Sequence, residues 1–177
     1  MYRTIILDEK EDSSLRTSLK NDYRLNSKKS FIVLVFYRIG HLLYLKKHRF
    51  MLACLGGAKN ILYLILRINE QISYEAKIGN NIRLPHCAMG VVISSKAIIG
   101  DNVTIYHQVT IGVNENKPED KKQVEICDNC YLSTGCKIIS CKIGINCKIA
   151  PNAVVYKDLP PNTMCYPVNE TKVINQY

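Results

Sequence analysis

The chain has no tryptophan, only three phenylalanines and only four histidines among its 177 residues. Its basic residues are interrupted by acids and aliphatics and lack an aromatic stacking surface, so nucleic-acid binding is not expected despite a formal net charge of +9. An export signal is also missing: residues 1–12 offer a short apolar run at 4–7 and then a cluster of acids. The expected location is the cytoplasm. No apolar run is clean enough to read as a membrane span, because residues 31–45 contain Arg38 and His41, while 51–68 contain Gly56, Gly57, Lys59 and Arg67. Eight cysteines in such a chain are expected to be reduced thiols, either metal ligands or buried apolar side chains.

What is present points to a folded protein. Hydrophobic residues make up 47% and charged residues 22%, normal for a globular chain, and the length suits one domain with a small appendage. Charge is uneven: residues 1–70 carry thirteen Lys/Arg against six Asp/Glu, and residues 71–177 carry eleven against nine. Two regions of different character are implied.

The second region repeats itself. From Ile72 onward an aliphatic residue recurs near a six-residue period: Ile72, Ile78, Leu84, Ile93, Ile99, Ile105, Ile111, Ile126, Leu132, Ile138, Ile143, Ile149 and Val155. Four residues after most of these comes a small or compact apolar side chain, such as Ala76, Ala88, Ala97, Val103, Cys130, Cys136, Cys147 or Ala153. Three hexads make one triangular coil, so the pattern predicts a parallel β-helix of about four to five coils whose aliphatic columns form a continuous core. The irregular spacings carry information too. Leu84 to Ile93 is three residues too long, Ile138 to Ile143 is one too short, and Ile111 to Ile126 is nine too long. The last of these predicts a polar excursion, VNENKPEDKKQ at 113–123, of the kind that usually sits beside a functional surface.

Cys127-x-x-Cys130 with Cys136, Cys141 and Cys147 could be taken for a zinc knuckle. Cys130, Cys136 and Cys147, however, fall on the inward small-residue position, which predicts buried thiols and no metal. Residues 12–70 show helical spacing instead, with Phe31, Leu34, Val35, Arg38, Leu42 and Leu45 on helical intervals and Ser27 or Ser30 as N-caps. Gly56-Gly57 is expected to break or bend the second helix. This helical region is read as a cap packed on the β-helix, and Lys46, Lys47, His48 and Arg49 at the turn between helices would suit an anionic lipid surface. The organisation expected is a helical region at 1–70, a β-helix at 71–168 and a tail at 169–177.

Two histidines lie in the repeat. His86 follows Leu84 by two residues and His107 follows Ile105 by two, so they occupy equivalent places on successive coils, about 4.8 Å apart in the strand-pairing direction. A neutral imidazole near pH 7 is suited to deprotonating a hydroxyl nucleophile.

The segments ISYEAKIGNNIRLPHCAMGVVISSKAIIGDNVTIYHQVTIG and KIGINCKIAPNAVVYKDLPPNTMCYPV, with the coil between them, cover residues 72–168 and resemble the hexapeptide-repeat acyltransferases. The resemblance is to the branch containing serine O-acetyltransferases and the colanic-acid and capsular-polysaccharide O-acetyltransferases. YRIGHLLY at 37–44 looks like the helical part of the polysaccharide enzymes. The resemblance implies a left-handed β-helix, a homotrimer with active sites between subunits, and acetyl-CoA as co-substrate along the intersubunit groove. It also implies that His86 is the catalytic base, with His107 a second active-site or substrate-binding histidine. Backbone N–H groups at Gly112 and Val113 would face the oxyanion. Ala150 and Ala153 would let the pantetheine arm run against the backbone, and Lys148, Lys157 and Lys172 are candidates for the CoA phosphates.

Some positions depart from the serine enzymes. Pro85 stands where they carry an Asp before the catalytic histidine, and the excursion at 113–123 has no histidine. The carboxylate that orients their catalytic imidazole aligns with Gln71, beside Glu70. The leading expectation is therefore an acetyl-CoA-dependent O-acetyltransferase acting on a sugar hydroxyl, in a small-molecule or lipid-linked acceptor, with peripheral contact to the inner membrane face. Serine O-acetyltransferase of cysteine biosynthesis is the alternative. A metal-binding β-helix of carbonic-anhydrase type and a non-catalytic scaffold are the alternatives from other classes.

Overall fold

The structure, a computed structural model, describes residues 11–167. Among these, helices α1 (Glu11–Leu25), α2 (Lys28–Leu45) and α3 (Arg49–Leu66) precede thirteen short parallel strands. Lys172 and the expected tail lie outside the described residues.

The strands stack into three sheets, the three faces of a triangular coil. One face holds β1 (Gln71–Ile72), β3 (Val92–Ile93), β6 (Thr110–Gly112), β9 (Lys137–Ile139) and β12 (Val154–Val155). The second holds β2 (Lys77–Ile78), β4 (Ala97–Ile99), β7 (Val124–Ile126) and β10 (Lys142–Ile143). The third holds β5 (Thr104–Ile105), β8 (Tyr131–Leu132), β11 (Lys148–Ile149) and β13 (Met164–Cys165). Register places the six-residue repeat in columns: Ile72, Ile93, Ile111, Ile138 and Val155 on the first face, and Ile78, Ile99, Ile126 and Ile143 on the second. Ile105, Leu132, Ile149 and Cys165 form the third column. Every member of these columns from Ile93 to Val155 is buried. The fifth coil closes with Leu159, bridged to Ile143, and Cys165, two positions the six-residue count does not reach.

The irregular spacings have physical causes. Residues 113–123 leave the coil between β6 and β7 and fold back over it, with the Asn114 N–H donating to Ser140 Oγ at 2.7 Å and Lys117 Nζ to the Ser140 carbonyl at 2.8 Å. Ser140 itself adopts a left-handed conformation (φ 46°), which turns the corner one residue early. Lys122 and Glu119, 2.7 Å apart, tie the excursion together.

Cys127, Cys130, Cys136, Cys141 and Cys147 are all buried free thiols. Cys130 Sγ donates to the Gly144 carbonyl at 3.1 Å and Cys147 Sγ to the Pro160 carbonyl at 3.2 Å. Burial pushes the Cys130 and Cys136 thiols up to about 12 and those of Cys127 and Cys141 to about 11. A group whose folded pKa is raised contributes stability that is complete below its unfolded pKa and is lost as pH climbs through the folded value. Stability should therefore hold up to about pH 8.5 and fall above it by as much as about 1.4 kcal/mol per pH unit per thiol. Thermal melts from neutral pH to about pH 9.5, short of the ordinary tyrosine pKa of about 10, check this. A Cys130→Ala/Cys136→Ala variant, which puts the residue of Ala97 and Ala153 at the same inward position, should show a flatter decline; an unchanged slope would assign the lability elsewhere.

The helical region closes the N-terminal end of the coil. A β-helix end exposes unpaired backbone groups, which would template pairing with another chain. Here α1, α2 and their linker supply the partners. Tyr37 Oη donates to the Ala76 carbonyl at 2.7 Å and accepts from the Ile78 N–H at 3.0 Å. Arg38 Nη1 and Nη2 reach the carbonyls of Ile78 and Gly79 at 2.7 and 2.6 Å. Asn26 donates to the Ile82 carbonyl and accepts from the Leu84 N–H, and Ser30 Oγ donates to the Leu84 carbonyl at 2.7 Å. Ser27 caps α2, as its side chain accepts from the Ser30 N–H. Gly56-Gly57 does not break α3, which runs on through both glycines. Both glycines face open space on an 18-residue helix, where their cost of roughly 1 kcal/mol each can be borne by packing elsewhere.

Candidate active site

The three residues by which Leu84 to Ile93 exceeds the repeat are accommodated by a four-residue turn, Pro85–Ala88, that bulges from the corner between the third and first faces. His86, Cys87 and Ala88 are consecutive left-handed residues (φ 55°, 60° and 54°), none of them glycine. Such residues cost of order 1–3 kcal/mol each and persist only when their surroundings fix them. The anchors are Asn26 and Ser30, which hold Leu84, and Ala88, which is fully buried in the coil. The strained turn leaves the His86 imidazole exposed at the corner.

His107 occupies the same corner one coil on. The two ring centroids are 4.8 Å apart with planes at 77°, so the pair is in register as the six-residue count requires, in an edge-to-face arrangement. His107 Nδ1 is buried and has no hydrogen-bond partner among the described residues. Tyr106 packs 6.0 Å from His86 and 5.2 Å from Tyr131, which extends the imidazole pair into an aromatic row along the edge. Sequence reasoning missed both tyrosines. The signal was available, since Tyr106 adjoins His107 and Tyr131 holds an outward strand position pairing with Thr104 and Lys148.

The other site residues divide between two corners. Lys148 and Ala150 lie on the fourth coil at or beside the histidine edge, about 14 Å along the axis from His86. Ala153 closes the same corner turn, its N–H donating to the Ala150 carbonyl at 3.2 Å, with its methyl buried inside the coil. Gly112 and Val113 stand at the far end of the first face, about 13 Å of extended strand from the His107–Gln108 turn. Gly112 pairs with Ile139 in the β6–β9 ladder. Within one protomer, then, these backbone groups do not share a site with His86, and Lys157 and the 113–123 excursion belong to that second corner as well. The excursion is one corner away from the histidines, not beside them.

No hydrogen bond joins Gln71 or Glu70 to His86 within the protomer. Gln71 is exposed on β1, and the buried Glu70 carboxylate is committed to Lys59 Nζ at 2.8 Å. Among the described residues no three His, Cys, Asp or Glu side chains converge as a metal site would require. The arrangement presents one accessible imidazole, backed by a second, on an aromatic edge that is open to solvent on its outer side.

No protein-family model matches the chain. It is 38% identical over 115 residues to the serine acetyltransferase of Staphylococcus epidermidis, covering 59% of this chain and 53% of the relative. It is 42% identical over 86 residues to the Staphylococcus aureus serine acetyltransferase, covering 48% and 39%. The chain thus spans about half the length or less of the curated relatives it matches. Among solved structures it is similar to Neisseria gonorrhoeae serine acetyltransferase in complex with serine, with a TM-score of 0.70 and 25% identity over 93% of this chain and 70% of that one. The soybean serine acetyltransferase apoenzyme gives 0.73 and 29%, over 86% and 66%.

The fold is a left-handed parallel β-helix with N-terminal helices, and the similarity is to the hexapeptide-repeat acyltransferases. Within them it is to the serine acetyltransferases; the colanic-acid and capsular branch draws no support from these relatives.

Proposed function

We propose that the protein is an acetyl-CoA-dependent O-acetyltransferase in which His86 is the general base, and that its acceptor is the hydroxyl of serine. The observation that carries the chemistry is the exposed His86 imidazole, held on a strained turn in register with His107. The acceptor rests on the serine acetyltransferases to which the chain is similar. The leading sequence expectation of a polysaccharide precursor gives way to its alternative on that ground.

The chemistry balances without a further reactant. The acceptor hydroxyl passes its proton to a ring nitrogen of His86 while its oxygen bonds to the thioester carbonyl carbon. The tetrahedral oxyanion collapses, the carbon–sulfur bond breaks, and the CoA thiolate recovers the proton from the imidazolium. CoA would lie along the edge from His86 toward Ala150 and Lys148. The Gly112 N–H is spent in the β6–β9 ladder, and the Val113 N–H, at the other corner, could face an oxyanion at His86 only when contributed by a neighbouring copy. A homotrimer that sets the histidine edge of one subunit against the second corner of the next would supply it.

Two features favour a second reading, in which the acceptor is a sugar hydroxyl. Pro85 and Gln71 replace the carboxylates expected around a serine-specific base, and the Tyr106–Tyr131 pair offers ring faces beside His86. Release of CoA thiol from acetyl-CoA, with serine and a panel of sugars and lipid-linked glycans as separate acceptors, decides between them. Serine-driven release is the expected result. Release with a glycan and not with serine would overturn the acceptor and leave the base in place.

A further inference from the structure

The outward face of α3 is unlike the rest of the surface. Between Phe50 and Leu66 its exposed residues are Phe50, Met51, Ala53, Cys54, Gly57, Ala58, Asn60, Ile61, Leu64 and Ile65, without a charge. Phe50 and Leu64 are each 81% exposed, and Ile61 and Ile65 about as open at 66% and 69%. The only charged residue within that stretch, Lys59, points inward to Glu70, so the polarity of a surface helix is inverted. Such a contiguous apolar strip marks an interaction surface.

Its surroundings indicate the occupant. Lys46, Lys47, His48 and Arg49 are all exposed at the N-terminal end of the strip, and Arg67 is exposed at its C-terminal end. An apolar cleft of about 420 Å³ opens at the basic end, lined by Leu43, Tyr44 and Leu52 with Lys47, Arg49 and Glu75 at its polar positions. Cations framing an uncharged strip match a layer of anionic headgroups over acyl chains, whereas Asn60 is the only side chain on the strip that could fix register with a protein partner. By length and composition α3 could cross a bilayer. Its inner face is occupied, however: Tyr63 packs edge-to-face on Phe36 at 5.7 Å and Lys59 pairs with Glu70. Only one side of the helix is available, so it would lie in the plane of the interface.

We propose that α3 is an interfacial helix that seats the protein on a membrane surface rich in anionic phospholipid, through its apolar strip and the flanking basic residues. The inference is independent of the acceptor and of the role of His86.

Co-sedimentation of the full chain with extruded vesicles tests it, comparing phosphatidylcholine alone with vesicles about one-third phosphatidylglycerol. The wild type is expected to sediment with the anionic vesicles and weakly or not at all with the neutral ones. Ile61→Asp/Leu64→Asp should lower the bound fraction on anionic vesicles by roughly tenfold or more, and Lys46→Glu/Lys47→Glu should also lower it. Both variants change exposed side chains and should keep the wild-type melting temperature. Failure of the wild type to bind anionic vesicles, or equal binding by either variant, overturns the proposal. So does loss of a larger assembly by Ile61→Asp/Leu64→Asp in sedimentation velocity when the wild type does not bind vesicles, which would make the strip a contact between copies of this chain.

Discussion

His86→Ala should lose on the order of a hundredfold or more in kcat for acetyl transfer, with circular dichroism and melting temperature close to wild type. The side chain is exposed and makes no packing contact that the core needs, so truncating it removes chemistry and leaves the fold. Alanine at this position can hold the left-handed backbone, which Ala88 already adopts two residues on. His107→Ala, by contrast, should cost less in kcat, because that ring is half-buried behind His86 and one of its nitrogens is already shielded from solvent. Steady-state rates at saturating acetyl-CoA and acceptor separate the two. Equal rates for His86→Ala and the wild type would remove His86 as the base, and a larger loss in His107→Ala would transfer that role to its neighbour.

The two histidines also mark how far the sequence could be read. Their register was legible because the coil repeats every three hexads, and a residue two places after a column position must recur on the same corner. The columns were legible for the same reason, and failed only at Leu159 and Cys165, where the spacing after Val155 drops to four residues and the period is lost. What the repeat could not convey is azimuth. Counting residues places Gly112 and Val113 near His107 in the chain, but β6 is extended between them, so they stand at different corners. The inward position of Ala153, by contrast, followed from its place four residues after Ile149, and its methyl is buried. The αL turn at His86 left one trace, the three surplus residues before Ile93, with no indication of its conformation.

Arg38→Ala should destabilise the protein by about 3–5 kcal/mol, a large share of the 5–15 kcal/mol that usually separates folded from unfolded domains. In the sequence Arg38 reads as a flaw in an apolar stretch. In the fold it is buried, and its guanidinium donates to Asp22 at 3.1 Å and to the carbonyls of Ile78 and Gly79. Those two carbonyls belong to the first coil, which has no preceding coil to pair with. Arg38 therefore fastens α1 to α2 and both to the open end of the β-helix. Its removal leaves a fully buried Asp22 whose carboxyl burial already pushes upward, now without the guanidinium that offsets the shift. Arg38→Lys should recover only part of the loss, because an ammonium cannot span a carboxylate and two adjacent carbonyls as the planar fork does. A double-mutant cycle with Asp22→Asn isolates the ion pair from the carbonyl contacts. If Arg38→Ala costs no more in the presence of Asp22→Asn than about 1 kcal/mol, the pair carries the effect; if the cost persists, it lies in the backbone groups of the first coil, and the helical cap is held chiefly by satisfying that edge.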